Sequence, residues 1–595
     1  VPEAGTFVAP ADAGDNAQSP ATPVTETVYR RCLAAVAAYM LAAGLCFGGW
    51  GLPNGNRTWA ADSVAPMTPL SVAYHVFAED GPNSGYFYFK YPVGHQLLLA
   101  AVSAPVVAAA WLGGDLAGID TDYPYGFSDP EKYLTILGRT MRTLSASFAT
   151  AVILLVAGIA RRLVDRETGV FAAAAIAGSY PLMFYAHTSN VETAFLFWAF
   201  LCLYAAIRGS DGDGAKWFWA VGVSAAMAVS TKEQIAGFLV LIPAAILIAH
   251  GGAFWRYRIA PFGSGKFPGW LPPGIPAGVG LCAATMLVVN AAFYNPSGFL
   301  NRYRFLTHTL PAEVREKYSA YEFPIDFSTH WGFVDELLHI GKAVSAVAAS
   351  LGGPALAAAL VGLVVISVRA PARAMWLWAP VIGYYAVSLR VLKQVEIRYT
   401  MPLSTVLAIP AGIFFAYLFR RGGAARAVAL VALVFGFVYS AEVLVMLGRD
   451  ARYAAERWMQ PKLAAGDSVE VYQSWTYLPR WQHTDGVTKP SVEAMAIDDV
   501  KRRAPDWIVL SSKAKEGITM YPNPDWRDGR GMMLERPDNV RMLAALEDGS
   551  LAYDVVAEFD PPGLIPRELI TSLNPGITVY GKNPSKSPGS VADPG

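Results

Sequence analysis

Charge is what this sequence has least of. Asp, Glu, Lys and Arg make up 16% of its 595 residues, while apolar residues make up 54%. A soluble domain carries about a quarter charged residues, so a water-soluble globule is excluded as the whole molecule. Lys plus Arg and Asp plus Glu each number 47, leaving no formal net charge. Nucleic acid, which is bound through a basic surface, is therefore not an expected partner. Cysteine is scarce too. Cys32, Cys46, Cys202 and Cys282 all lie in apolar runs, which gives no basis for a disulfide framework or a zinc site. The stretch after residue 447 lacks cysteine, a Gly-rich phosphate loop, a Cys/His cluster and a nucleophile elbow. It reads as a binding or supporting module, not as the seat of catalysis. There is no internal repeat.

What the chain has in abundance is apolar segments. A helix needs roughly 20 apolar residues to span a bilayer. Candidate spans fall at 32–51, 93–113, 136–160, 168–186, 190–208, 216–231, 234–250, 274–294, 342–368, 374–390, 399–419 and 424–446. The expected fold is a multi-pass α-helical membrane protein of about 11–13 transmembrane helices. A soluble α/β or α+β unit is expected over 447–595, with strands near 469–472, 507–510, 554–559 and 577–580 and helices near 449–464 and 538–548. Residues 1–28, rich in Ala, Pro, Gly, Asp and Thr, read as a disordered leader, ahead of a membrane module at 29–446. Arg30 and Arg31 precede a run long enough to span, which argues against a cleaved signal peptide.

Basic loops mark the cytoplasmic side. Arg161, Arg162 and Arg166, then Arg256, Arg258 and Lys266, then Arg369 with Arg373, then Arg420, Arg421 and Arg426 supply four such loops. Alternation puts 52–91, 187–192, 295–341, 391–398 and the C-terminal unit outside. An inside start and an outside finish need an odd number of crossings, and twelve segments are even. The fault lies in 93–135, whose acidic loop 114–135 looks external, so that 93–113 re-enters or a crossing is missing.

The external segments hold the residues that could do chemistry. Asp62, just beyond the first span, could orient or deprotonate an attacking hydroxyl, or could cap a short helix starting near Ser63–Val64. In the run Tyr86–Pro92, Tyr88 and its neighbours could stack on a ligand. Lys90 there could neutralise a phosphate, or the run could be an aromatic belt with a snorkelling lysine. His187, Asn190 and Glu192 sit where two spans meet. A carboxylate at the head of an apolar run is costly unless it faces a polar cavity, so Glu192 could hold a metal or an acceptor, with His187 beside it. A tight turn capped by Asn190 or Ser189 is the plainer reading. Arg398 could grip a phosphate with its planar fork, with Tyr399 adding a hydroxyl, or could simply pair with Glu396. Lys232, between two apolar runs, could line the same cavity. The loop 295–341, with His308, Tyr318, Tyr321, Glu322, Asp326, His330 and Trp331, is long enough to act as a lid.

Read in order, these pieces resemble the GT-C-type integral-membrane glycosyltransferases, in the branch of protein O-mannosyltransferases and aminoarabinose transferases. The resemblance runs over nearly the whole chain. It rests on Asp62 after the first span, Phe89-Lys90-Tyr91-Pro92 before the second, Arg139 or Arg142 with Pro181, Glu192 at a second external turn, and Arg398-Tyr399-Thr400-Met401-Pro402 entering a late span. The later segments Arg452–Trp458, Tyr477-Leu478-Pro479 and Pro505–Leu510 are similar too. No motif is specific alone; their order is what carries the likeness.

The resemblance implies transfer of a sugar from a polyprenyl-phosphate donor to an extracytoplasmic hydroxyl on protein, glycan or lipid, with inversion. Asp62 and Glu192 would be catalytic. Lys90, Arg398, Tyr399, His187, Asn190, Tyr88 and Lys232 would bind substrate, among membrane lipids of a bacterial inner membrane. The family often has Asp-Glu where this chain has Asp62-Ser63, and Asp where it has Glu192. A divalent metal (Mg, Mn or Zn) on Glu192 is thereby left open. Two other readings remain: a secondary transporter, against which the lack of repeats counts, and a non-catalytic envelope scaffold.

Overall fold

The computed structural model describes residues 24–61, 63–79, 81–87, 91–118, 120–250, 274–313, 332–391, 395–472, 474–490, 495–513, 537–560, 570 and 572–585. Asp62, Tyr88 and Lys90 lie outside the described residues, as do Tyr318, Tyr321, Glu322, Asp326, His330 and Trp331 of the expected lid loop.

Helices dominate up to residue 464. The first, Glu26–Cys46, begins where the Thr25 hydroxyl accepts the amide of Val28 at 3.3 Å. This cap satisfies one of the amides a helix start leaves bare. The candidate span 93–113, where the sequence leaves open re-entry or a missing crossing, is one continuous helix, Val93–Leu112. Pro130–Leu163, with 34 residues, is about 51 Å long and overshoots a hydrocarbon core of roughly 30 Å. The helix expected near Ser63 starts later, at Thr68.

Among the described residues six helices can cross a membrane by length and composition: Glu26–Cys46, Val93–Leu112, Pro130–Leu163, Glu192–Ser210, Ile397–Arg421 and the helix opening at Gly423. A seventh arises if a bent pair counts as one span. That pair, Phe333–Leu351 and Gly353–Arg369, turns by 114° at Gly352, whose φ of +82° suits a residue without Cβ. The segment 342–368 is therefore not one straight span. Other expected spans are realised as shorter pieces. The segment 168–186 splits into Arg166–Ala177 and Tyr180–Tyr185, and 234–250 into Glu233–Ile235, Ala236–Leu239 and Ile242–Ala249. Prolines at the heads of new pieces (Pro181 and Pro243) mark these breaks.

Membrane helices lack a hydrophobic drive toward one another and meet where side chains are small. Gly222 of Lys216–Thr231 faces Gly278 of Ile275–Val289 so closely that a Cβ on Gly222 would lie 1.9 Å from the Gly278 carbonyl oxygen. Gly362 meets Pro410 of Met401–Arg421 in the same manner, at 1.8 Å.

Beyond Gly448 the helix Ala451–Ala464 leads into a five-stranded sheet: β1 Val469–Val471, β2 Val487–Thr488, β3 Trp507–Ser511, β4 Tyr553–Phe559 and β5 Ile577–Lys582. The order is β2-β1-β3-β5-β4, with β2, β1 and β3 parallel and β5 antiparallel to both neighbours. Side chains alternate across the pleat. Ile508 and Leu510 pack with Val500, Met542 and Leu546 of helices Ile497–Arg503 and Pro537–Glu547. Val509 packs with Ala455 and Met459 of Ala451–Ala464 on the other face. The result is a three-layer α/β arrangement. The four expected strands are present; the two-residue β2 is too short to leave a pattern.

Candidate functional site

The helices Glu192–Ser210 and Lys216–Thr231 form an antiparallel hairpin joined by residues 211–215. The start of the first therefore lies beside the end of the second. A helix start favours an anion and a helix end favours a cation, and the sequence supplies Glu192 and Lys232 at these positions. Their side chains meet: Lys232 Nζ donates to Glu192 Oε1 at 3.1 Å, with side-chain exposures of 8% and 0%. Three rings surround the ammonium. Its distances to the centroids are 5.2 Å to Phe195, 5.3 Å to Tyr399 and 5.7 Å to Tyr91, all within cation–π range.

Tyr399 links this pair to Arg398. The Arg398 guanidinium stands 4.8 Å from the Tyr399 ring centroid and donates to the Tyr399 hydroxyl at 2.9 Å. It also pairs with Glu396 at 2.7 Å. Tyr384 fixes the backbone beneath by donating to the Tyr399 carbonyl at 2.8 Å. Buried Glu192 and Lys232 and half-buried Arg398 and Tyr399, brought from three parts of the sequence, thus share one cluster with both charge signs.

The turn before Glu192 is stitched to the first loop. The Ser189 hydroxyl donates to the Val64 carbonyl at 2.7 Å, the Ser63 and Ser189 hydroxyls lie 2.9 Å apart, and Asn190 Nδ2 donates to the Ala61 carbonyl at 3.1 Å. The neighbours of Asp62 in sequence are therefore held against Ser189 and Asn190. His187 is spoken for: Nδ1 lies 2.7 Å from the Met183 carbonyl and Nε2 2.8 Å from that of Ala43. It ties the turn to the first helix and leaves neither ring nitrogen for a substrate in this conformation.

Several buried polar atoms have no hydrogen-bond partner among the described residues: Glu192 Oε2, Asn190 Oδ1, Thr193 Oγ1 and both amide atoms of Gln96. A buried polar atom without a partner is costly and needs a ligand, water or ion to explain it. Asn190 and Thr193 flank Glu192 in sequence. His95 belongs to the same neighbourhood. It is buried, feels the charge of Glu192, and has a ring nitrogen near the Ser189 backbone. Sequence reasoning passed over His95 and Gln96, although two polar residues inside an apolar run of spanning length are themselves a signal. Tyr91 lies in the aromatic run Tyr86–Pro92 already marked, whereas Phe195 carries no such signal, since aromatic residues are common in membrane helices.

A metal does not fit this donor set. Lys232 occupies Glu192 Oε1, and among the described residues no three His, Cys, Asp or Glu side chains converge.

Beside the cluster lies a cavity of about 210 Å³. Its wall includes Val76, Val93, Met286, Phe299 and Leu306. At one edge Arg302 donates to Glu233 at 2.8 Å, one residue on from Lys232.

The sequence model of the dolichyl-phosphate-mannose-protein mannosyltransferase family matches residues 136–263, the stretch that supplies His187, Asn190, Glu192 and Lys232. The match covers 128 of the chain's 595 residues, and over that stretch the chain is similar to this family of sugar transferases. Among solved structures, the chain is similar to ArnT from Cupriavidus metallidurans bound to undecaprenyl phosphate, at 14% identity and a TM-score of 0.46, over 96% of this chain and 100% of that one. It is also similar to the Archaeoglobus fulgidus oligosaccharyltransferase in complex with Zn and sulfate, at 12% identity and 0.43, over 89% and 79%. The Saccharomyces cerevisiae protein O-mannosyltransferase Pmt1-Pmt2 complex bound to the sugar donor matches at 18% identity and 0.27, over 47% and 34%. With every score below 0.5, no residue's role is carried over from them. No curated protein matches the chain in sequence.

Proposed function

We propose that the transferase moves a sugar from a polyprenyl-phosphate donor to a hydroxyl acceptor on the extracytoplasmic side, with inversion. The observation that carries the proposal is the buried Glu192–Lys232 pair, with its second carboxylate oxygen unpartnered among the described residues and Arg398 one ring away. Cations beside an anionic leaving group are what a glycosyl phosphate needs, because negative charge builds on the phosphate as the bond to C1 breaks.

Arg398 and Lys90 hold the donor phosphate. Asp62 takes the proton of the acceptor hydroxyl as its oxygen bonds to C1. The C1–O bond to phosphate breaks from the opposite face, and polyprenyl phosphate leaves with the bonding electrons. Glu192 Oε2 accepts a hydrogen bond from a hydroxyl of the sugar or acceptor. Lys232 holds Glu192 by its paired oxygen and is not itself free to bind phosphate. His187 holds the turn in place. The isoprenoid chain runs toward the apolar cavity beside Lys232.

Orientation has its own support. Arginines gather at the helix ends away from Glu192. Arg162 pairs with Asp211, Arg420 with Asp165 and Glu167, and Arg161 and Arg166 with Glu26. Arg208 lies about 24 Å along the helix from Glu192. A basic face belongs in the cytoplasm, which supports the reading of an extracytoplasmic site.

The test is transfer of radiolabelled sugar from a panel of polyprenyl-phosphate donors to membrane extract by purified protein. Wild type should transfer label, Asp62→Ala should not, and Arg398→Ala should transfer less at the same low donor concentration. Equal transfer by Asp62→Ala would remove that residue from the mechanism. No transfer from any donor, with fold intact and acceptor supplied, would favour the transporter or scaffold readings.

A further inference from the structure

The sheet-bearing C-terminal unit reaches into the first loop through one buried arginine. Arg452 and Asp450 both have fully buried side chains. The Arg452 guanidinium donates to Asp450 Oδ1 from Nε at 2.8 Å and to Oδ2 from Nη2 at 2.6 Å. It also donates to the Thr476 carbonyl at 2.5 Å and the Ser572 carbonyl at 3.1 Å. Its Cζ stands 4.0 Å from the centroid of Trp59 and 5.4 Å from that of Trp50. Trp50 Nε1 donates to Asp450 Oδ2 at 3.0 Å, and Trp59 Nε1 to the Leu478 carbonyl at 2.9 Å.

From there an unbroken path leads to the site. Arg452 holds Ser572 by its carbonyl; the Ser572 hydroxyl accepts the amide of Ala61 at 3.1 Å; the Ala61 carbonyl accepts Asn190 Nδ2 at 3.1 Å. Asn190 is two residues from Glu192.

A fully buried ion pair is a poor source of stability, because desolvation consumes most of its attraction. Its value lies in geometry: each guanidinium nitrogen and each carboxylate oxygen has a partner, and a shifted loop would leave a charge bare. We propose that Arg452 is a positioning residue for catalysis, fixing residues 59–61 against Asn190 so that the Asp62 and Glu192 segments keep one register. This rests on the transferase reading above, and it gives the C-terminal unit a part in the reaction without placing a catalytic group in it.

Two variants separate position from stability. Arg452→Met leaves Asp450 bare and should both unfold more readily and turn over slowly. Arg452→Met/Asp450→Leu removes both charges and should regain most of the thermal stability. Its kcat should still be at least tenfold below wild type, with the KM for donor within about twofold. A double variant that regained kcat along with stability would overturn the proposal, as would a wild-type kcat in the single variant.

A second readout needs no activity. Cysteines at Ser63 and Ser189, whose hydroxyls lie 2.9 Å apart, report loop position by their rate of disulfide formation. That rate should fall at least tenfold in the Arg452→Met/Asp450→Leu background; an unchanged rate would sink the proposal. If wild type transferred no sugar, the transferase reading would fail while this rate still decided the loop's position.

Discussion

Removing Lys232 should damage the protein in two separable ways. At 3.1 Å and an effective dielectric of about 20, the attraction between Lys232 and Glu192 is about 5 kcal/mol. Desolvation of both ions offsets much of that, so the pair adds little net stability. Losing one partner is different: a bare buried charge costs about 3–5 kcal/mol. Glu192 is badly placed to absorb that loss, since its other oxygen has no partner among the described residues. Lys232→Met should therefore destabilise by about 3 kcal/mol. Adding Glu192→Gln removes the bare charge and should restore more than half of the loss. Sugar transfer should fall at least about 100-fold in both single variants and stay low in the double, because neither Met nor Gln restores the charge pattern. Thermal unfolding in detergent and initial rates of transfer on the same preparations would measure both. Wild-type stability in Lys232→Met would mean that the pair is not formed as described. Recovery of transfer together with stability in the double variant would reduce the pair to a structural role.

Three further outcomes follow from individual contacts. Arg398→Ala should weaken donor binding about tenfold to 100-fold, the worth of a charge-assisted hydrogen bond, with kcat for bound donor falling less; titration with a non-transferable donor analogue would check it. Gly222→Ala should cost about 1–3 kcal/mol by forcing Lys216–Thr231 off the Gly278 carbonyl, whereas Gly280→Ala, with nothing within 4 Å, should be neutral or stabilising in the same unfolding assay. Asp506 accepts from the Ser468 hydroxyl at 2.7 Å and amide at 2.9 Å, and these bonds hold its carboxyl below the usual range. A depressed carboxyl stabilises the fold above the unfolded-state value and ceases to do so as pH falls through the folded one. Asp506→Asn should thus cost about 1 kcal/mol near pH 7, screened because the group is exposed. Unfolding curves should converge for the two proteins below the carboxylate range.

The strands could be read from the sequence almost residue by residue, because alternation in short runs such as Trp507–Leu510 has one structural solution. Helix ends were harder. Gly352 and Pro181 break apolar runs that hydropathy alone joins, since hydropathy counts residues and not backbone angles. The site was half legible. Glu192, Lys232 and Arg398 stood out as charges at the rims of apolar runs, where their cost demands a reason. Which of them meet could not be read: the shared Tyr399 ring, and the helix-end pairing of Glu192 with Lys232, depend on which helices are neighbours. His187 misled for the same reason. A histidine at such a turn suggests chemistry, and only the positions of the Ala43 and Met183 carbonyls show that both nitrogens are taken. Arg452 gave no hint, because arginine is ordinary in a soluble unit until its burial is known.

The most direct test of the account is a single-turnover reaction of purified protein with a polyprenyl-phosphate sugar and acceptor, following sugar transfer and polyprenyl phosphate release together. The account predicts equal amounts of both from wild type and neither from Glu192→Gln. Release of polyprenyl phosphate without transfer, or full transfer by Glu192→Gln, would contradict it.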